Sequence, residues 1–209
     1  MKHIVICLFT LVLCACQSSG SSYQSYLERK NVRVVSAENF EHCSGYGCQK
    51  KTPVKADKAM WSEINQVFEN KADSAQEERK QIALAIGVFE RHVGKLTKTD
   101  TDKKGTFVLG EGQLDCVDES INTTVYLSLL NRRKFLKFHT LHAPTVRLPM
   151  VNRNVTWPHQ TALISETATG EYYVVDSWFH DNGERAEVLP LDEWREGWSP
   201  DDNILAMNF

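Results

Sequence analysis

Apolar residues recur at helical spacing in three stretches of the chain and alternate after that. From Ala56 to Asn70, the residues Met60, Trp61, Ile64, Val67 and Phe68 fall on one side of a helix, with Pro53 upstream as a helix-start signal. A second stripe of Ile82, Ile86, Phe89 and Val93 predicts a helix over Ser74 to Leu96, with Glu77, Glu78 and Arg79 on its wet side. The third stripe, Val117, Ile121, Val125 and Leu129, predicts a helix from Cys116 to Asn131, capped by Asp115 and carrying Asp118 in its first turn. Lys95 to Gly105 is rich in Thr, Asp and Lys and reads as a solvated connection.

Beyond Asn131 the period drops to two. Lys134 to His142, Gln160 to Glu166 and Glu171 to Trp178 read as strands, the last two joined by Thr167-Ala168-Thr169-Gly170 as a hairpin. A short strand near Val188 and a helical turn over Leu191 to Glu196 follow. Helices first and antiparallel strands afterwards predict an α+β fold in one domain.

The N-terminal pattern is different. Met1-Lys2-His3 precedes an almost wholly apolar run from Ile4 to Leu13, of the secretory-signal type and too short to span a bilayer as a mature helix. Leu13-Cys14-Ala15-Cys16 follows and resembles the lipobox of bacterial lipoproteins, which implies cleavage before a diacylated Cys16. A plain secretory peptide with an incidental cysteine is the simpler reading, but it leaves the small Ala15 and its spacing from the apolar core unexplained. Gln17, in place of Asp, implies the periplasmic face of the outer membrane. The expected organisation is a leader over 1–15, a lipidated flexible tether over 16–30 that begins with the Ser-rich Gln17 to Ser22, and one domain over 31–209.

With 24 Lys and Arg against 27 Asp and Glu, the chain has no basic excess to neutralise phosphates, which argues against a nucleic-acid partner. Membrane contact is expected through the lipid alone. Of the cysteines, Cys7 and Cys14 leave with the leader and Cys16 takes the lipid. Cys43 and Cys48, in Cys-Ser-Gly-Tyr-Gly-Cys, suit a local disulfide in an oxidising compartment. Cys116 is left over, either as an inert buried thiol or as a nucleophile.

A thiol at a helix N-terminus feels unsatisfied N–H groups, which lower its pKa from about 8.5 toward the reactive thiolate. Acyl transfer also needs an imidazole to carry the proton and a third group to orient that imidazole. His159 and Asp176, on the two arms of the expected hairpin, are the candidates. Taken singly, each member has a dull explanation, and it is their order and spacing that favours a triad. Asp118 and Glu119 read as helix-start acids. His139, His142 and His180 lack the spacing of a zinc site and read as solvent-facing. Trp157, Trp178, Trp194 and Trp198 read as core or as walls of a peptide groove, and Trp157 and Trp178 each lie two residues from a proposed catalytic residue.

Asp115-Cys116-Val117-Asp118, Pro158-His159-Gln160-Thr161-Ala162 and Val174-Val175-Asp176-Ser177-Trp178, in that order, resemble the transglutaminase-like superfamily. Within it, the chain is most similar to the bacterial transglutaminase-like cysteine proteinases of the LapG type, over roughly Ala56 to Trp178. The resemblance implies a papain-like cysteine proteinase fold, with Cys116 as nucleophile, His159 as general base and acid, and Asp176 as orienter. It further implies a thioester intermediate and a periplasmic peptidase or amidase acting on envelope protein or peptide. Val117 stands where LapG-type proteins carry an acid of a calcium site, which leaves Asp115 as a weak calcium candidate and no other cofactor. Leu114 stands where many members have Gly. The Cys116 amide, and at a spacing unlike papain's the Gln113 side chain, are the oxyanion donors on offer. An NlpC-type endopeptidase shares the Asp-Cys start, but a second histidine usually completes its site, where this chain has Asp176. A catalytically silent binding or structural lipoprotein on the same scaffold, and a transamidase that transfers to an amine, are the alternatives.

Overall fold

The computed structural model describes residues 22–106, 110–150 and 157–200. The leader and the lipidation at Cys16 lie outside the described residues. Helix α1 (Tyr23–Arg29) starts where Ser22 accepts the Ser25 amide, and it buries Leu27. The Tyr26 hydroxyl accepts from the Gln160 side chain at 2.9 Å. The stretch expected to continue the tether is therefore packed against the domain from Tyr23 onward.

A hairpin that the hydrophobic pattern does not announce comes next. Strands β1 (Asn39–Ser44) and β2 (Lys50–Lys55) pair antiparallel, and the Cys43–Cys48 disulfide closes their turn. Gly45, Tyr46, Gly47 and Cys48 all take positive φ, a tight left-handed run that the two glycines make affordable. Pro53 lies inside β2, opposite Glu41, and not at a helix start. Helix α2 (Lys58–Val67) is instead begun by Asp57, which accepts the Met60 amide.

Helices α3 (Ala75–Thr97) and α4 (Cys116–Arg132) follow the predicted spans closely. The connection between them is not simply solvated: Thr97, Thr99 and Asp102 are buried, and Asp102 accepts the Leu114 amide at 2.8 Å. Strand β3 (His139–Arg147) begins later than the alternation suggests. The chain leaves α4 through Lys134 at φ 60°, and the Lys137 and Phe138 amides donate to Glu78, so Phe135 and Leu136 pack on the core from a loop.

Strands β4 (His159–Glu166), β5 (Tyr172–Asp176) and β6 (Glu187–Pro190) complete an antiparallel sheet in the order β3-β4-β5-β6, followed by α5 (Leu191–Arg195). The architecture is α+β with antiparallel sheets. Ladder pairs such as Ala162 with Val175 put one sheet face against the main core, which includes Ile86, Phe89, Val125 and Leu129. On the other face Val174 and Leu189 pack against Leu191 and Trp194 of α5. Each large side chain so buried contributes about 1.5–3 kcal/mol. No described helix is long and apolar enough to cross a membrane.

Candidate active site

Cys116 is the first residue of α4, and two carboxylates lock that helix start. Asp115 accepts the Asp118 amide at 2.7 Å, and Asp118 accepts the Asp115 amide in return, a capping box. The disulfide-closed turn clasps the same two side chains. The Tyr46 and Cys48 amides donate to Asp118 at 2.8 and 2.7 Å, and the Gly47 amide donates to Asp115 at 2.9 Å. Burial and the neighbouring Asp115 charge push the Asp118 carboxyl up to about 6 against these amides. Both Asp115 oxygens thus face N–H groups, one from its own helix and one from the disulfide-closed turn.

His159 opens β4 with its ring fully buried. Its Nε2 lies 2.8 Å from Asp176 Oδ2. A carboxylate can only accept, so Nε2 carries the hydrogen and Nδ1 is left as the lone-pair acceptor. That Nδ1 is buried and has no partner. Trp178, Phe179 and Trp194 enclose the imidazole with ring centroids at 4.8, 5.2 and 5.6 Å. The half-buried Cys116 packs on the cluster of Trp178 and Phe179, as do Trp157 and Trp198. The Gln160 backbone N–H, next to His159 in the chain, lies near enough to the Cys116 thiol to favour its ionised form. The structure therefore brings together the three residues expected to form a triad, with Trp157 and Trp178 beside them. No hydrogen bond joins the Cys116 sulfur to His159 in this arrangement.

One electrostatic expectation is reversed. Burial pushes the Cys116 thiol up to about 11, and the Asp115 and Asp176 charges add to the rise, while the Gln160 and Cys116 amides oppose it. The helix terminus loses because desolvating a thiolate beside two carboxylates costs more than the N–H groups return. At neutral pH the raised value favours the neutral thiol.

The Gln113 carboxamide is engaged elsewhere. It accepts the Lys103 amide and donates to the Thr101 carbonyl, which ties it to the loop before α4. Sequence reasoning missed Trp194 as a site residue: its indole N–H donates to the same Asp176 oxygen at 2.8 Å. The histidines read as solvent-facing are paired. His139 is buried against Glu78 at 2.8 Å, His142 meets Ser165, and His180 meets Glu187, which raises its pKa.

Glu119 lies in the first turn of α4, as expected of a helix-start acid, yet it does not face solvent. It is buried with Glu90 and Asp102 behind the site, where Ser177 donates to it. Burial raises all three carboxyls, Glu90 to about 7 and Asp102 to about 6, so the cluster retains protons near neutrality. Ser177 directly follows Asp176, so the cluster braces the end of β5 that carries Asp176. Among the described residues no group of three His, Cys, Asp or Glu could hold a metal ion. No family model, no curated protein and no solved structure matches this chain.

Proposed function

We propose that the protein is a thiol hydrolase, a peptidase or amidase of transglutaminase-like, papain-like type, in which Cys116, His159 and Asp176 act as a triad. The observation that carries this reading is the His159 ring: Nε2 is held by a carboxylate, and Nδ1 is unpartnered beside the cluster that seats the Cys116 thiol. Nδ1 takes the thiol proton as the sulfur attacks the substrate carbonyl, and Asp176 stabilises the imidazolium that forms. The backbone N–H groups of Cys116 and Gln160, the two that favour the thiolate, are the donors on offer to the oxyanion. The imidazolium returns its proton to the leaving amine, which departs and leaves a thioester. Water, deprotonated by Nδ1, then releases the acid and restores the thiol. No metal takes part in this scheme.

The lipobox-like Cys16 and the disulfide suit a location in the bacterial envelope, lipid-anchored at the periplasmic face of the outer membrane. A tether there raises the effective concentration toward envelope protein or peptide substrates. The raised thiol and the missing Cys116–His159 hydrogen bond favour a second reading, a silent scaffold that binds a partner without turnover.

Incubating the protein with its own envelope proteins and a labelled primary amine separates these outcomes. Hydrolysis predicts new N-termini or deamidated side chains that vanish in Cys116→Ser. Amine incorporation that depends on Cys116 would convert the assignment to a transamidase. Neither product, together with an intact cellular phenotype in Cys116→Ala, would leave the scaffold.

A further inference from the structure

Strand β3 ends on Arg147, which pairs across the ladder with His159, so the two side chains stand on one face of the sheet. The guanidinium lies 4.8 Å from the Trp194 ring and 5.9 Å from the Phe179 ring, two of the rings that enclose His159. At 5% exposure it is the one buried lysine or arginine among the described residues. Its Nη1 donates to the Trp194 and Trp198 carbonyls at 2.6 and 3.0 Å, while its Nε is buried without a partner. No described carboxylate forms an ion pair with it.

A buried cation with no ion-pair partner is costly, and a neutral glutamine could meet two carbonyls without that cost. The charge itself therefore calls for an explanation. The groups whose charges act on it are the Asp176 carboxylate and, once ionised, the Cys116 thiolate. Asp115 and Asp118 are clasped by backbone amides, and the charged residues of α5, Asp192, Glu193 and Arg195, face solvent. With Asp176 ionised and the thiol and imidazole neutral, Arg147 brings the buried group to zero net charge. Moving the proton from Cys116 to His159 keeps that total at zero. Without Arg147 the aromatic cage would hold an unbalanced carboxylate in both states.

We propose that Arg147 is the counter-charge of this site, a positioning residue that offsets the Asp176 carboxylate and the thiolate formed at Cys116. The proposal rests on the reading of Cys116 as a nucleophile served by His159.

The test compares alkylation of Cys116 in the full chain by iodoacetate, an anion, and by iodoacetamide, its neutral analogue. Both consume the same thiolate through the same opening, so their rate ratio reports the local field and cancels thiolate population and access. Arg147→Met and Arg147→Gln remove the charge, and the second keeps an N–H donor for the two carbonyls should the first fail to fold. Each should lower the iodoacetate-to-iodoacetamide ratio about fivefold to tenfold, and Arg147→Lys should restore it. An unchanged ratio in the neutral variants, with only thermal stability reduced, would reduce Arg147 to a tie for α5 and overturn the proposal. The parent reading fails separately: it is lost if His159→Ala leaves the iodoacetamide rate unmoved, whatever the ratio does. A wild-type thiol inert to both reagents removes both claims.

Discussion

Asp176 accepts from His159 through the same oxygen that accepts from Trp194, each at 2.8 Å. The acid is therefore oriented from two sides, by the imidazole it serves and by a helix that follows it in the chain. Trp194→Phe keeps the ring but deletes the second donor. Loss of a hydrogen bond to a charged group should cost about 1.5–3 kcal/mol, read as a Tm lower by several degrees and a slower reaction of Cys116. An unchanged Tm would mean that the indole contributes packing alone.

Two glycines frame the helix start, and they should respond differently. Gly47 has φ 67° with nothing within 4 Å of where a Cβ would stand. Gly47→Ala should therefore cost only left-handed strain, about 1 kcal/mol. Gly112 has φ 81°, and a Cβ there would meet Thr101 Oγ1 at 2.7 Å and the Lys98 carbonyl at 2.8 Å. Gly112→Ala should cost at least twice as much and disturb the loop that delivers Cys116. Urea unfolding of the two variants orders them, and equal midpoints would refute the contact reading.

The buried acids predict a signed pH effect. A carboxyl whose folded pKa is raised binds its proton more tightly when folded. Its contribution is thus complete below the unfolded value and is lost as pH rises through the folded one. For Glu90 and Asp102 the loss falls from about pH 4 to about 7, and Glu119, raised by burial, loses in the same direction. Buried His42, pushed down to about 3, acts in the opposite sense, losing stability as pH falls below its ordinary range. The difference between wild type and Glu119→Gln isolates the acids: the variant should gain relative Tm as pH rises from 4.5 to 8. Parallel Tm curves would show that Glu119 carries no such proton.

The helices were legible because their stripes are long: Ile82, Ile86, Phe89 and Val93 cannot serve a strand. Cys116, His159 and Asp176 were legible as an order of residue types placed at element ends. The β1–β2 hairpin was not, because Pro53 punctuates equally well as a helix start or as an edge residue of a strand. The amide clasp on Asp115 and Asp118 was also hidden, since backbone donors leave no mark in side-chain identity. Trp194 looked like plain core, and its polar edge became visible only once α5 was laid across the sheet. The thiol's pKa was misread for a similar reason: helix position is local, whereas burial and the Asp176 charge come from distant segments.

The most direct test of the account is the rate of Cys116 alkylation by iodoacetamide from pH 5 to 11, in wild type and in His159→Ala. Proton transfer to the imidazole predicts appreciable reactivity near neutrality in the wild type, collapsing in the variant to a single rise toward the alkaline value of about 11. Superimposable profiles would mean that the sulfur and the imidazole do not work together.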